Sequence, residues 1–535
     1  MKKNKIYISF TLFLPLLIYL LWPLQSDKWT IEFGTESIGE KTDYLSGISK
    51  STDQSLPNIL VIVVDDLGMA DLSLYGNGYP PTPNIDALGA NGVVFTNAYV
   101  TSPVCSPSRA AILTGRYQQR FGFQYQMHER YLRNRMEYIG FKYVMDSYPW
   151  MPKWMDDVPD KKAMLKQGIP PSEILLPELL KAKGYKTALI GKWHLGSDES
   201  QVPCNMGFDY HFGFYASHTL YAYENTAGIH DQKIENDFTD PHIWNGQRKG
   251  PHAIYQNCKE IEVNEYLTDR FTDEVISYMN KQRSDPFFLY LSFNAPHTPL
   301  QAPTEYMVPF SHIKDPVKQT YFGMIANLDV NIGKVLNAIE NFKLRENTLI
   351  FFISDNGGAE YTHTTDNGNY KGGKITNLEG GIKVPFILSW PGMVNSSIYS
   401  PMVSSMDIFQ TIVEITGVEL PEDRTFDGIN LLPFINKEYS ENPPHEYLYW
   451  QRGFSKAIRN NEWKLTINED ALDTALYHIV DDQYESEDLK LCYPEIVKTL
   501  ASVHHNWSSD LPPPLWPSMV YYLYRDDNKT CYFDQ

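Results

Sequence analysis

Five runs of mainly apolar residues, each ending at polar or turn-forming positions, predict buried β-strands. They read NILVIVVDD at 58–66, KTALIG at 186–191, PFFLYLSF at 286–293, TLIFFIS at 348–354 and VPFILSW at 384–390. Continuous apolar runs rich in β-branched residues suit strands that are covered on both faces, as in a parallel sheet. We therefore expect these segments to form one buried sheet.

Between these runs, apolar residues recur at intervals of three and four, which predicts amphipathic helices. The clearest helix is expected near 321–342, and two others are expected around 271–279 and 408–415. The apolar positions are Ile325, Leu328, Ile332, Val335, Leu336 and Ile339, then Phe271, Val275 and Met279, then Ile408, Ile412 and Ile415. Alternation of strands and helices predicts an α/β domain with a doubly wound, mostly parallel sheet and helices on both faces.

The pattern changes after Gly417. From about 419 to 535 the chain has proline clusters, short aromatic segments such as HEYLYW at 445–450, and one helical stretch near 494–504. We expect a smaller C-terminal α+β domain with a short antiparallel sheet at 419–535. The main domain is then expected at 57–418, with an insertion at about 125–170 that is rich in Met, Tyr and Trp.

Residues 1–26 have the pattern of an export signal. Lys2, Lys3 and Lys5 precede an uncharged apolar run at 6–23, which is the order found in secretory signal peptides. The run approaches the length of a membrane-spanning helix, so a signal anchor is the alternative, and contact with a membrane is expected only if the segment is uncleaved. Residues 27–56 are polar and predict a linker or N-terminal arm. The expected location is secreted, periplasmic or in the lumen of the secretory pathway.

The 535-residue chain carries a formal net charge of −19. Such a charge repels polyanions, which excludes nonspecific nucleic-acid binding. Exported chains meet oxidising conditions, and the number of cysteines, five, is odd. We expect Cys105 to be left over while Cys204 pairs with Cys258 and Cys492 with Cys531, although spacing alone leaves other connectivities open.

Polar side chains follow four of the predicted strands where each strand ends. They are Asp65 and Asp66, Lys192 and His194, His297, and Asp355 and Asn356. An aspartate after a strand is usually a turn or cap residue. In an open parallel sheet, however, ligands gather outside the carboxyl ends of the strands. Four strands that bring polar groups to one edge therefore predict a functional site there.

The acidic part of this set favours a hard cation. Asp65, Asp66, Asp355 and Asn356 offer only oxygen ligands, which suit Ca²⁺ or Mg²⁺ better than Zn²⁺. We expect calcium, with Mg²⁺ as the less favoured choice. Three carboxylates exceed the charge of one divalent ion, so lysine and arginine side chains are expected close by.

The stretch TSPVCSPSRAAILTGRY at 101–117 places a cysteine at the start of a predicted helix. Ser106 and Ser108 are candidate N-caps, and Pro107 fits the first helical position. A helix N-terminus favours an oxyanion such as sulfate or phosphate, and Arg109 would reinforce it. A buried or disulfide-bonded cysteine is the plainer alternative. A thiolate nucleophile is disfavoured, because soft sulfur and hard oxygen ligands suit different ions.

The segment CSPSR at 105–109, followed by AAILTGRY, resembles the signature of the type I sulfatases of the alkaline phosphatase superfamily, in which the cysteine is converted to formylglycine. Other motifs of that family are matched in order by VDDLG at 64–68, GKWHLG at 191–196, APHTP at 295–299, SDNGG at 354–358 and KGGK at 371–374. The resemblance spans about 57–417. It implies an alkaline-phosphatase-like fold, sulfuric ester hydrolase activity, one Ca²⁺, and a formylglycine-generating enzyme as partner during maturation.

The resemblance also implies a reaction. The aldehyde made from Cys105 would be hydrated to a geminal diol, and one hydroxyl would attack the sulfur and displace the alcohol. Loss of the proton from the second hydroxyl would then let the sulfated diol collapse to the aldehyde and expel inorganic sulfate.

Roles follow from the same resemblance, position by position. Calcium would be held by Asp65, Asp66, the modified Cys105, Asp355 and Asn356. Arg109 would steady the formylglycine hydrate, and Lys192 and Lys374 would bind sulfate oxygens. His297 would protonate the leaving alcohol, and His194 would assist the collapse of the sulfated diol. Ser217 and His218, within YASHT at 215–219, are expected as further substrate contacts.

The expected substrate is a sulfated carbohydrate, because the chain carries export features and aromatic residues that stack on sugars. Two alternatives remain open: a phosphonate or phosphodiester hydrolase of the same superfamily, and a glycan-binding pseudoenzyme with unmodified Cys105. The insertion at 125–170 either shapes the substrate site or is a plain surface excursion.

Overall fold

The structure of the protein is a computed structural model that describes residues 14–51, 56–76, 78–235, 237–436, 443–469, 473–526 and 529–535. Of the expected signal at 1–26, residues 1–13 lie outside the described residues, and the described part begins with a helical stretch at 14–21. Among the described residues, no helix is long and apolar enough to span a bilayer.

A central sheet is formed by ten strands of the described residues. In chain order they are β1 (Asn58–Val64), β2 (Val93–Phe95), β3 (Lys186–Lys192), β4 (Tyr210–Phe214), β5 (Ile254–Gln256), β6 (Lys259–Ile261), β7 (Phe287–Ser292), β8 (Thr348–Ser354), β9 (Phe386–Ser389) and β10 (Ser397–Tyr399). Their order across the sheet is β6-β5-β4-β3-β7-β1-β8-β9-β2-β10. The five central strands β4, β3, β7, β1 and β8 are parallel, and β9 returns antiparallel to β8. The expected mostly parallel sheet is confirmed.

The continuous apolar runs are explained by burial on both faces of the sheet. In β1, Ile59, Val61 and Val63 pack into one apolar core, whereas Leu60, Ile62 and Val64 pack into the other. All of these side chains are fully buried. Neither face of the strand meets water, so no polar alternation is needed.

Helices cover both faces of the sheet, as expected. Leu267–Lys281 and Pro316–Asn341 pack on the core that contains Leu60, and Cys105–Thr114, Leu176–Lys183 and Asp407–Thr416 pack on the other. Further helices are Thr35–Gly47, Pro83–Ala90, Arg135–Tyr143, Lys161–Leu165, Asp240–Gly246, Thr304–Met307, Glu379–Ile382, Leu432–Ile435 and Pro494–Ser508. Short paired strands are Gln25–Ser26 with Val158–Pro159, Ala98–Tyr99 with Val403–Ser404, and Ile229–Gln232 with Leu300–Pro303.

The C-terminal region has the expected α+β character. The strands Leu448–Arg452, Ser455–Arg459, Trp463–Asn468 and Asp473–His478 form an antiparallel sheet, on which the helix Pro494–Ser508 packs through Leu500. A second sheet joins this region to the insertion: Trp150–Pro152 pairs with Val520–Asp526, which pairs with Lys529–Asp534. The insertion and the C-terminal residues therefore form one structural unit.

Residues 27–56 differ from the irregular arm expected there, because they contain the helix Thr35–Gly47. Its Lys41 is buried, and Nζ donates to the carbonyl oxygens of Pro171 at 2.7 Å and Glu173 at 2.9 Å. The same ammonium lies 2.6 Å from a carboxylate oxygen of Glu178. These contacts dock the helix on the main domain.

The disulfide Cys204–Cys258 forms as expected and ties the turn before β4 to the β5–β6 hairpin. Cys105 is buried without a disulfide, also as expected. The expected bond between Cys492 and Cys531 is wrong. Cys492 is exposed ahead of the helix Pro494–Ser508, whereas Cys531 lies in the strand Lys529–Asp534, packed against a different apolar cluster. The two cysteines are held in separate elements that do not bring their sulfur atoms together.

Candidate active site

The four strands whose carboxyl ends carry the predicted polar residues are neighbours, in the order β3-β7-β1-β8. Asp65 and Asp66 follow β1, Asp355 and Asn356 follow β8, and Lys192 is the last residue of β3. Because these strands are parallel, their carboxyl ends lie along one edge of the sheet. The structure therefore brings the predicted polar residues together at that edge.

The helix Cys105–Thr114 points its first residue at this edge. Cys105 is fully buried, and its Sγ lies 3.4 Å from Oδ1 of Asp65 and 3.8 Å from Oδ1 of Asp66. The helix begins at Cys105, two residues before Pro107, which was expected at the first helical position. Val104 is the N-cap residue, and no side chain forms a capping hydrogen bond with the first turn. Ser106 and Ser108 are therefore not caps, and their buried hydroxyls have no partner among the described residues.

Two buried lysines pair with two of the aspartates. Lys192 Nζ lies 2.6 Å from Oδ2 of Asp65, and Lys374 Nζ lies 2.8 Å from Oδ2 of Asp66. Burial works to raise the pKa of Asp66, but Lys374 and His297 outweigh it and hold that pKa below its ordinary value. Burial likewise opposes the charge on Lys374, yet Asp66 raises its pKa well above the usual range. Both members of this pair are therefore ionised at neutral pH.

Arg109 organises the acidic side of the site. Its Nε donates to Oδ2 of Asp355 at 2.7 Å, Nη1 donates to Oγ of Ser292, and Nη2 lies 3.6 Å from Oδ1 of Asp65. Nη2 has no hydrogen-bond partner among the described residues. The guanidinium thus orients two carboxylates and keeps one donor for a group near position 105.

Asp355 and Asn356 complete the acidic cluster. Burial, with Asp65 adding to it and Arg109 opposing it, raises the pKa of Asp355 to about 6. Asn356 donates from Nδ2 to Oδ1 of Asp66 at 2.7 Å, whereas its own Oδ1 is buried with no partner among the described residues. A buried amide oxygen without a donor is costly and indicates a missing cation or hydrogen-bond donor.

Two histidines flank the cluster. His297 Nδ1 donates to the carbonyl oxygen of Thr298 at 2.5 Å, which turns Nε2 to within 3.5 Å of Oδ2 of Asp66. Burial and Lys374 lower the pKa of His297 to about 3. The backbone of His194 adopts a positive φ of 55°, and its side chain is fully buried. Burial and the nearby Lys192 lower the pKa of His194 well below the ordinary value. Both rings are neutral in this state.

The thiol of Cys105 is also neutral. Burial and the neighbouring Asp355 raise its pKa well above the ordinary value, even though Lys192 and Lys374 oppose the shift. A cysteine nucleophile needs a lowered pKa, because the thiolate is the reactive form. The surroundings of Cys105 are the opposite of those that activate a thiolate.

Three adjoining cavities open beside this edge. The reaction cavity, of about 570 Å³, is lined by His297 and Lys374. The basic cavity, of about 670 Å³, contains His194 and the positively charged side chains Arg130, Arg133 and Lys161. The tyrosine cavity, of about 990 Å³, is lined by Tyr148, Tyr361, Tyr522 and Tyr524. The reaction cavity shares Glu129 with the basic cavity and Tyr361 with the tyrosine cavity, so the three cavities lie side by side, and together they are called the cleft.

Ser217 and His218 lie in the wall of this cleft and not among the clustered aspartates and lysines. Both line the reaction cavity, and Ser217 also lines the basic cavity. His218 contacts His252 with ring centroids 4.5 Å apart. Ser217 and His218 line the cleft, with His252 beside them. Lys192 and Lys374, the other predicted sulfate ligands, lie instead against Asp65 and Asp66.

Sequence reasoning missed several residues of the site. Ser292 ends β7 and accepts from Arg109, and Glu129 and His252 line the cleft. Ser292 had a signal, since it ends a predicted strand at the same edge. Glu129 and His252 had none, because they come from an irregular insertion and a short turn and meet only in the folded chain.

Comparisons with known proteins agree with this geometry. Residues 57–418 match the family model described as Sulfatase. Human N-acetylgalactosamine-6-sulfatase is 34% identical over 395 residues, which cover 73% of this chain and 67% of that protein. The arylsulfatase of Hemicentrotus pulcherrimus is 30% identical over 437 residues, covering 79% of this chain and 70% of that protein.

A solved structure extends the likeness to the fold. The crystal structure of Ps i-CgsB in complex with k-i-k-neocarrahexaose matches with a TM-score of 0.71 at 30% identity, covering 86% of this chain and 94% of that chain. The family match covers most of the chain, and the residues at the sheet edge have the chemistry that such a family requires. The chain therefore belongs to the type I sulfatases of the alkaline phosphatase superfamily and is a sulfuric ester hydrolase.

Proposed function

We propose that the protein hydrolyses sulfate esters of carbohydrates with one Ca²⁺ and with formylglycine made from Cys105. The observation that carries this proposal is the position of Cys105, a buried and protonated thiol at a helix start, within 3.8 Å of carboxylate oxygens of both Asp65 and Asp66. An unmodified thiol has no evident task there, whereas an oxygen-bearing side chain at this position meets a cation site directly.

The residues present fit a calcium ion. Ligand atoms of Asp65, Asp66 and Cys105 lie within 4.8 Å of one another, and the unpartnered Oδ1 of Asn356 adds an oxygen. Ca²⁺ takes oxygen ligands and rejects sulfur. Conversion of Cys105 to formylglycine would remove the sulfur from the set. The modification and the choice of calcium therefore support each other.

When present, calcium and formylglycine supply a Lewis acid for sulfate oxygens and an oxygen nucleophile at position 105. Lys192 and Lys374 are placed to bind sulfate oxygens, since each Nζ lies at an aspartate of the proposed cation site. Nη2 of Arg109, which has no hydrogen-bond partner among the described residues, is the donor that would orient the group at position 105.

His297 is placed to give a proton to the leaving alcohol oxygen. Its Nδ1–H donates to the carbonyl oxygen of Thr298, so Nε2 is the atom that would gain a proton when the ring is protonated and then pass it to the leaving oxygen. Burial and, after it, Lys374 depress the pKa of His297, and a bound sulfate ester, being an anion, acts in the opposite direction. His194 Nδ1 is buried without a partner among the described residues and is the candidate to take a proton from the group at position 105.

A saccharide substrate is supported by the cleft and by the relatives. The reaction cavity adjoins cavities of about 670 and 990 Å³, and together they offer more room than a small aryl ester fills. The tyrosine cavity offers four aromatic side chains, the kind of surface on which sugar rings stack. A relative acts on N-acetylgalactosamine 6-sulfate by its name, and a solved neighbour holds a neocarrahexaose.

We also propose that the protein is exported and is modified by a formylglycine-generating enzyme. The disulfide Cys204–Cys258 supports export, because disulfides persist in oxidising compartments. Cell fractionation with an antibody to the protein tests this, and recovery only in a reducing cytosol would contradict it.

The central experiment combines mass and activity. The peptide across Thr101 to Arg109 of native protein should be lighter than the unmodified sequence by about 18 Da, the change from thiol to aldehyde. Wild-type protein should release sulfate from 4-nitrophenyl sulfate and from members of a panel of sulfated saccharides, and Cys105→Ala should not. Faster turnover of 4-nitrophenyl phosphate would favour a phosphoester hydrolase, and an unmodified thiol without turnover would favour a glycan-binding pseudoenzyme.

A further inference from the structure

A second cluster of titratable side chains lies in the wall of the cleft, apart from the aspartates and lysines. Glu129 is at its centre. Oε1 of Glu129 lies 3.2 Å from Nε2 of His252, and Oε2 lies 3.4 Å from Nε2 of His242. The side chain of Glu129 is 39% exposed, so its remaining lone pairs face the cleft.

The hydrogen bonds of His252 fix the charge of this cluster. Its Nδ1 lies 2.7 Å from the carbonyl oxygen of His218, so it must donate, and its Nε2 faces the Glu129 carboxylate. Both ring nitrogens therefore face acceptors. Although burial opposes it, Glu129 raises the pKa of His252, and His242 and His252 hold the pKa of Glu129 below its ordinary value. Glu129 is an ionised carboxylate that two imidazoles keep in place.

His218 adds an unsatisfied polar atom. Its Nδ1 is hydrogen-bonded with Oγ of Ser217 at 2.8 Å, and its Nε2 is buried with no partner among the described residues. His218 is only 5% exposed. Ligand atoms of Glu129, His218 and His252 lie within 4.8 Å of one another. This nitrogen is therefore available to form a hydrogen bond with a group that enters the cleft.

The position of the cluster in the cleft indicates which part of a substrate it would contact. Glu129, His218 and His242 line the same cavity as His297 and Lys374, and Glu129 and His252 also line the basic cavity with His194. A group bonded to an ester oxygen that lies at His297 and Lys374 extends into the cavity that this cluster also lines. For a sugar sulfate, the neighbouring groups are hydroxyls.

We propose that Glu129 and His218 bind sugar hydroxyls next to the sulfate ester, with His252 and His242 as positioning residues. The proposal rests on the proposed action on sulfated saccharides and makes it specific. An ionised carboxylate accepts hydrogen bonds from hydroxyls strongly and repels a second sulfate at the same place. The enzyme therefore selects sugars that carry free hydroxyls beside the ester that it cleaves.

The same ligand types occur in zinc sites. The hydrogen-bond geometry favours sugar binding, since His252 donates from both nitrogens and keeps no lone pair for a metal. Bound zinc is nevertheless a defined outcome of the test.

The test compares Glu129→Gln and His218→Gln with wild-type holoenzyme. The readout is the ratio of kcat/KM for N-acetylgalactosamine 6-sulfate or neocarrahexaose to kcat/KM for 4-nitrophenyl sulfate, which lacks sugar hydroxyls. This ratio should fall by about tenfold to hundredfold in each variant, the loss of one charged or buried hydrogen bond. Glu129→Gln should also reduce discrimination against N-acetylgalactosamine 4,6-disulfate.

Glu340→Gln is the matched control, because Glu340 is an exposed carboxylate near the end of the helix Pro316–Asn341 and pairs only loosely, at 3.6 Å, with Arg345. Its ratio should equal that of the wild type. If the wild type cleaves both substrates and the ratio is unchanged in Glu129→Gln and in His218→Gln, the proposed binding of sugar hydroxyls is wrong, whereas the proposed action on saccharides still stands. A wild type that cleaves aryl sulfate but no saccharide would overturn the proposed substrate as well. One zinc per chain by elemental analysis, lost in Glu129→Gln, would replace the sugar site with a metal site.

Discussion

A single atom of Asn356 offers a test of the proposed calcium site. Its Nδ2 is used by Asp66, while Oδ1 has no partner among the described residues of the buried site. Replacing it with alanine removes one oxygen ligand, so calcium affinity should fall at least about tenfold. The measurement is calorimetric titration of calcium into chelator-treated protein. The exposed helical Asn280→Ala serves as control, and an unchanged affinity in Asn356→Ala would remove this residue from the cation site.

His211 leads to a prediction about pH. It is fully buried in β4, neither ring nitrogen has a partner among the described residues, and burial lowers its pKa to about 3. The unfolded chain takes up a proton below about pH 6.5 whereas the folded chain does not, so stability is complete above that pH and is lost as the pH falls towards 3. At pH 5, keeping His211 neutral in the folded chain lowers the free energy of unfolding by about 2 kcal/mol.

The variant His211→Phe should lack this cost. Its free energy of unfolding relative to wild type should therefore shift in favour of the variant by about 2 kcal/mol between pH 7.5 and pH 5. Urea denaturation of both proteins at the two pH values measures the shift. A difference that does not depend on pH would mean that His211 is protonated in the folded state.

Among the elements, the β5–β6 hairpin at the edge of the sheet depends on one covalent link. Cys204 and Cys258 are 54 residues apart, and their bond joins the hairpin to the turn before β4. In the chain-entropy account, closing a loop of this size stabilises the fold by about 4 kcal/mol. Cys204→Ser with Cys258→Ser should lower the free energy of unfolding by that amount in urea. Cys492→Ser, at an exposed position, should change it little.

Elements were predictable where local pattern and tertiary position agree. β1 and β8 were found because both faces are buried, and their terminal residues Asp65 and Asp355 followed from the rule for strand ends. Lys374 required the family motif, since it comes from the loop between β8 and β9 and no periodicity marks it. In the cluster of Glu129, His218 and His252, only His218 was predicted as a substrate contact. Glu129 and His252 escaped prediction because the three residues come from separate segments that meet only in the folded chain.

At the scale of the whole molecule, net charge and substrate charge oppose each other. The chain carries a formal net charge of −19, and a polymeric sulfated saccharide is a polyanion. Repulsion acts over about 30 Å at 0.01 M salt but over about 8 Å at 0.15 M. Raising salt across this range should therefore increase kcat/KM for a sulfated polysaccharide several-fold and change that for 4-nitrophenyl sulfate much less. A steady fall for the polymer would show that local positive charge in the cleft dominates.

The cleft wall joins distant parts of the chain. Trp516 Nε1 donates to the carbonyl oxygen of Gln126 across 390 residues, and Trp150–Pro152 pairs with Val520–Asp526. During synthesis the insertion emerges long before the strand that it needs. Asp65, Asp66 and Asp355 of the sheet edge lie on earlier segments, so the part of the cleft wall that rests on the insertion is completed only after the C-terminal strand has been made. Until then Phe141 and Trp150 lack the C-terminal members of their apolar cluster, and exposed apolar surface of this kind favours aggregation of a nascent chain.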